Sequence, residues 1–208
     1  RHRFPQYELN YYKKKIQYAI LTHQTDQLDE TFDEAFGCLK SSTVIKYHTY
    51  FRNGLLRLKA TYLLMGDHSP ALVKQALDEL SMSQLLLNKK NDYIILFLLA
   101  KYLLQIDCPE DAVAHYCSAL SKCIKKAADG GAARDKHNRA VIEEELVWAA
   151  HRLDEKGLNL QRDDLRGELS SENWRALSMN KRDYKKYRKN FHSCALAVST
   201  DGQGGFVL

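Results

Sequence analysis

Residues Leu58–Asp67 return 40 positions later as Leu98–Asp107. Ala60, Tyr62, Leu63, Leu64 and Asp67 meet Ala100, Tyr102, Leu103, Leu104 and Asp107 in register. Each copy then reaches a proline, Pro70 or Pro109, and enters a second stretch with apolar residues at helical spacing. A segment used twice forms one supersecondary unit that buries its apolar surface against its neighbours. The unit expected here is a pair of antiparallel helices, and the chain is expected to stack at least two of them.

The remaining N-terminal residues fit the same scheme. Residues 6–24 place Tyr12, Ile16, Ala19 and Ile20 on one helical face, and 27–39 do so with Leu28, Phe32, Ala35 and Phe36. At an offset near 41 this pair aligns with the next one, as a degenerate first copy. Residues 44–65 and 71–87 form the second copy. The turn between them has a Gly to end one helix, Ser69 to cap the next and Pro70 at its first position. Residues 93–106 and 111–126 form the third copy. Its first helix is apolar almost all round, as a helix buried on more than one side requires.

The third pair resembles a tetratricopeptide repeat. Leu96, Leu99, Ala100 and Leu103 stand where that family's first helix has large, large, small and large residues, and Ala112, Tyr116 and Ala119 supply small, aromatic and small in the second. The spacing of about 40 departs from the family's 34. The resemblance implies a solenoid-like stack whose first helices line a concave, protein-binding groove. Arg57 and Thr61 of one copy, with Phe97 and Lys101 of the next, are the groove residues it implies.

Ala127–Asp135 shifts to small residues around Gly130-Gly131, which reads as a linker over 127–135. It separates a helical-repeat domain, 1–126, from a small basic domain, 136–208. In the latter a helix over 136–156 is stopped by Gly157, a short extended piece and a short helix over 161–169 follow, and Ser170-Ser171 caps a third helix that Asn180 interrupts. Residues 193–200 and 206–208, around Asp201–Gly205, carry a hairpin pattern. This order of elements resembles a winged helix-turn-helix, a DNA-binding family, although the hairpin turn carries no Lys or Arg. The fold expected is thus mainly α: antiparallel helix-pair repeats, solenoid-like, then a small winged-helix-like α+β domain.

The densest charge in the chain runs from Lys181 to His192. At 100° per residue, Tyr184, Tyr187 and Phe191 share an arc of about 60°, and Lys181, Arg182, Lys185, Lys186, Arg188 and Lys189 occupy about 160° beside it. One face is expected to dock against the helix containing Trp148, and the other to form a positive stripe. Phosphate backbones reward such a stripe through counterion release. The net charge of +5 agrees with that partner, with an acidic protein or with a membrane surface.

No pattern for a reaction is present: the chain lacks HExxH, GxSxG and a phosphate loop. The five cysteines, an odd number without CxxC, match no zinc spacing and suit a reducing, cytoplasmic or other intracellular compartment. The eight histidines form no metal-ligand pattern, so neither metal nor cofactor is expected. The longest apolar run, eight residues from Tyr93, is too short to span a bilayer. The expected function is non-enzymatic: a regulator or adaptor of the transcription-regulating type, binding a protein through its repeats and nucleic acid, most plausibly DNA, through the basic helix. The alternative is a scaffold subunit of a protein or ribonucleoprotein assembly without sequence-specific DNA binding.

Overall fold

The computed structural model describes residues 5–41, 45–86, 93–129, 133–158, 165 and 167–190. Among them the chain is mainly helical, with no strand. The elements are α1 (Pro5–Leu21), α2 (Leu28–Ser41), α3 (Ile45–Met65), α4 (Pro70–Leu86), α5 (Tyr93–Gln105), α6 (Pro109–Ala128), α7 (Ala133–Glu155), α8 (Ser171–Leu177) and α9 (Lys181–Asn190). The hairpin expected over 193–208 and most of the short helix expected over 161–169 lie outside the described residues. None of the described helices is long and apolar enough to cross a membrane.

The helices belong to two compact units, α1–α4 and α5–α9. The units part after α4, a point that composition did not mark. The glycine-containing stretch 127–135 instead joins α6 to α7 inside the second unit, where these two helices pack along each other. Asp135, at its end, is 1% exposed. A short stretch that both ends and begins packed helices reads as a linker by composition alone.

In the first unit α1 packs on α2, α3 on α4, and α3 also on both α1 and α2. Leu9, Ile16 and Ile20 of α1 meet a core that includes Leu28, Phe32, Leu55, Ala60 and Leu80, all essentially inaccessible. The Phe32 and Tyr62 rings lie 5.9 Å apart, and Tyr62 donates to Asp29 at 3.5 Å, joining α2 to α3. Two buried amides join α3 to α4: Asn53 donates to Ser83 at 3.4 Å and accepts from Gln84 at 3.3 Å. Pro70 begins α4, and the Ser69 hydroxyl accepts from the Leu72 amide at 3.4 Å. Gly66 has a packing reason as well: a Cβ there would lie 2.6 Å from the His68 ring, which rests edge-on against Tyr62.

In the second unit α6 lies against both α5 and α7. The Phe97 and Tyr116 rings meet at 5.6 Å. Tyr93 donates to Asp135 at 2.6 Å and accepts from Asn138 at 2.6 Å, so the start of α5 is tied to the start of α7. Burial and the Asp135 carboxylate push the Tyr93 hydroxyl far above its ordinary range. The free thiol of Cys123 donates to the Asp135 carbonyl at 3.2 Å, and burial pushes it up to about 11. At the other end of α5, Asp107 holds Arg152 at 2.7 Å and Lys156 at 2.8 Å.

Three helix ends share one closing geometry. His23 (φ 55°), Asp107 (φ 61°) and Gly157 (φ 74°) adopt the left-handed conformation. In each case the following amide reaches back five residues, as in Cys108 to the Leu103 carbonyl at 2.8 Å. This is the Schellman arrangement, which satisfies the last carbonyls of a helix. Only at Gly157 does the residue type announce it.

Ala60 and Ala100, the aligned small residues, are both fully buried. In a close-packed interior, extra methylene groups displace their neighbours. Ala100→Leu is expected to cost about 1–3 kcal/mol through overpacking, read as a lower midpoint of urea unfolding. An unchanged midpoint would show that the helices do not meet closely there.

Candidate nucleic-acid interface

The basic segment folds as a separate short helix because Asn180 starts it. The Asn180 side chain accepts from the Asp183 amide at 3.0 Å and donates to the Asp183 carboxylate at 2.7 Å. Asn180 thus caps the helix, satisfying one of the backbone donors that a helix start leaves open, and the Asp183 carboxylate holds the capping side chain in place. Just upstream, the Ser170 hydroxyl accepts from the Asn173 amide at 3.3 Å and caps α8.

Beneath these two helices lies α7. Its Glu143, 2% exposed, accepts from the Ser170 amide at 2.9 Å, from Asn173 at 3.0 Å and from Arg139 at 2.8 Å. Burial pushes the Glu143 carboxyl upward more than any other single influence. The donors around it together outweigh burial and hold the carboxyl below its ordinary value. Glu144 next to it has no such set of donors: burial, then Glu145, Glu172 and Glu143, push its carboxyl up.

The docking face of α9 is aromatic, as its spacing predicts. Tyr184, 5% exposed, stacks on His151 at 3.8 Å and lies 6.4 Å from Trp148. Tyr187 lies 6.2 Å from Tyr184 and donates to Glu172 at 3.3 Å. Burial pushes both tyrosine hydroxyls up to about 12. Phe191, expected on the same face, lies outside the described residues.

The cations divide into two sets. Arg182, Lys185 and Lys186 are exposed. Lys181 is also mostly exposed and pairs with Glu155 at 3.0 Å. Arg188 turns the other way: its guanidinium lies 3.5 Å from the centre of the Trp148 ring, beside a small cavity that Glu144 and Glu145 also line. It therefore belongs to the docking face rather than to the stripe, which periodicity alone could not tell. The side chain of Lys189 lies outside the described residues.

The groove residues expected from the repeat resemblance fare differently. Thr61 and Phe97 are fully buried, so a ligand on the surface would touch neither. Lys101 pairs with Glu145 at 2.9 Å and lies over the Phe97 ring, holding α5 to α7. Arg57 is half-buried on α3. The first unit does carry a groove elsewhere, of about 580 Å³, between α2, α3 and α4. Phe36, Leu56, Leu63 and Leu72 contribute to its apolar lining, and Asp33, Lys40, Arg52 and Lys59 to its charged lining. Among the described residues no group of three or more His, Cys, Asp or Glu side chains could hold a metal ion.

No protein-family model, no curated protein and no solved structure matches this chain at a significant level.

Proposed function

We propose that the protein is a non-enzymatic adaptor whose α9 binds nucleic acid, duplex DNA above all, through its phosphates. The observation that carries this reading is the split character of α9: Tyr184 is buried against α7, while Arg182, Lys185 and Lys186 stand in solvent. A short helix anchored by aromatic stacking holds its cations at fixed spacing, which phosphate contacts reward. In this reading α9 takes the part that the third helix plays in a winged helix-turn-helix. The net charge of +5 agrees with it. Arg182 is the candidate for a base edge, because a guanidinium can pair bidentately with guanine.

The reading includes a protein partner for the first unit, with the helix pairs as members of a tetratricopeptide-like stack. The groove of about 580 Å³ supports this part, since a channel walled by three helices, with apolar side chains among charged ones, suits an amphipathic partner helix. It is also the observation that favours the alternative, a scaffold subunit that does not read DNA.

The test is anisotropy with a mixed-sequence duplex at two salt concentrations. Wild-type affinity is expected to fall steeply with salt. Lys185→Glu with Lys186→Glu is expected to weaken binding to all sequences at least tenfold and to flatten the salt slope by about 2. The circular dichroism should not change, because both side chains are exposed. Absence of wild-type binding at low salt would remove the nucleic-acid part and leave the scaffold reading.

A further inference from the structure

The outward face of α1 has a composition unlike the rest of the surface. Tyr7, Tyr11 and Tyr18 are 75%, 62% and 61% exposed. At 100° per residue they share an arc of about 60° with Lys14, and Lys15 lies beside it. Among the residues of α1 whose exposure is described, the exposed ones are Gln6, Tyr7, Asn10, Tyr11, Lys14, Lys15 and Tyr18. They include no carboxylate and no aliphatic side chain. This face offers flat rings, amides and positive charge, the groups that hold a single strand by its bases and phosphates.

The face continues into a shallow pocket of about 360 Å³ at the Tyr18 end. Lys15 and Tyr18 of α1 line it together with Gln24, Asp26 and Gln27 of the following turn, and the buried Leu28 contributes an apolar surface. The pocket therefore combines a ring to stack on, an apolar floor and amide and carboxylate groups that read hydrogen-bonding edges. A nucleobase needs those three things once it has left its stack.

We propose that the outward face of α1 and this pocket form a binding site for single-stranded nucleic acid, separate from α9. The spacing argues for a single strand rather than a duplex. Along the helix axis, Tyr7 and Tyr11 are about 6 Å apart and Tyr11 and Tyr18 about 10 Å. Bases in a duplex are about 3.4 Å apart along each strand. Rings so widely spaced take bases that are splayed from one another, which an unpaired strand permits. Lys14 and Lys15 lie where the connecting phosphates pass. The strand's end at Tyr18 places one base in the pocket, where the Asp26 carboxylate accepts from an exocyclic amino group. Cytosine offers that group and uracil does not.

The site is tested on the full chain with labelled oligocytidine and oligouridine of about eight nucleotides, a length within the range of known single-strand sites. Wild type is expected to bind both, oligocytidine more tightly. Tyr11→Ala with Tyr18→Ala is expected to lose at least about thirtyfold in affinity, the low end for two stacking contributions removed. Tyr11→Phe with Tyr18→Phe, which keeps the rings, should stay within about threefold of wild type. Asp26→Ala should erase the preference for oligocytidine. Because these side chains are exposed, circular dichroism should be unchanged throughout. The Lys185→Glu, Lys186→Glu variant separates the two sites: it is expected to lose duplex binding and keep most of its single-strand binding. The inference falls if wild type binds neither oligonucleotide, or if the double alanine variant binds both as wild type does. It also falls if the α9 variant alone abolishes single-strand binding. None of these results bears on duplex binding by α9, and loss of the α9 reading leaves the α1 site standing.

Discussion

Glu143→Ala is expected to lower the stability of the second unit by about 3–5 kcal/mol, the usual cost of removing one partner from a buried charged set. Three donors lose their acceptor at once: the Ser170 amide, the Asn173 side chain and Arg139. Only the last two keep another partner, Ser170 Oγ for Asn173 and the Glu168 carbonyl for Arg139. In a chain of this size the loss corresponds to about 10 °C or more in melting temperature. The isosteric Glu143→Gln should cost less, because it retains an acceptor for the Ser170 amide. The pH dependence has a definite sign. The folded carboxyl lies below its ordinary value, so the folded state holds fewer protons than the unfolded one in the acid range. The stabilisation is complete above the unfolded value, about 4.3, and fades as pH falls through the folded value. Wild type and Glu143→Gln should therefore differ at pH 7 and converge in acid. Curves that stay parallel from pH 7 to pH 3 would mean that the charge on Glu143 does no stabilising work.

Tyr184→Ala should release α9 while the rest of the second unit stays folded. The ring is buried between His151 and Trp148, and removing a buried aromatic side chain costs about 3–5 kcal/mol. The helix has 10 residues, too few to persist in water by itself. Its stability rests on docking, and without the ring it should melt. Three readouts follow from one change. Helical signal should fall by an amount matching this one short helix. Emission from Trp148, measured with Trp174→Phe to isolate it, should shift to the red as the covering rings leave. Duplex affinity should drop about tenfold or more although no charge has been removed, because a disordered segment must be ordered again on binding. Tyr184→Phe keeps the stacking surface and should behave as wild type within about 1 kcal/mol. Unchanged Trp148 emission in Tyr184→Ala would show that α9 is held by other contacts.

Much of the helical layout is legible in the sequence because the signals are local. Pro70 and Pro109 mark the first residues of α4 and α6, where a missing amide hydrogen costs nothing. Gly157 ends α7 in the left-handed conformation that its lack of a Cβ permits. The aromatic face of α9 is legible for the same reason, since Tyr184 and Tyr187 recur at helical spacing before a solvent-facing run of cations. The start of α9 is only half legible. Asn180 reads as an interruption, and its role as a cap shows only in the bond its side chain accepts from the Asp183 amide.

The contents of the candidate sites are less legible, because exposure is not a local property. Thr61 and Lys101 occupy polar positions on helices whose other faces are apolar, and both look accessible. Thr61 is fully buried, and Lys101 is claimed by Glu145, 44 positions away. Arg188 has the same spacing as the exposed cations, and Trp148 draws it aside. The tyrosines of α1 show the same dependence on the fold. Aromatic residues at helical spacing suggest a buried face, and Tyr7, Tyr11 and Tyr18 stand in solvent because Leu9, Ile16 and Ile20 already supply the face that α1 buries.

Sequence alone thus determines where helices such as α4 and α6 begin, where α7 ends and which short segment carries dense charge, since each depends on neighbours within about one helical turn. Tertiary structure decides which of their faces meet, that the chain divides after α4 rather than at its glycine-containing stretch, and which polar groups remain open to a partner. The physical reason lies in the range of the interactions. Caps and helical periodicity act over three or four residues, whereas burial and ion pairing sum over groups that only the folded chain brings together, as Glu143 does with Ser170 and Tyr184 with His151.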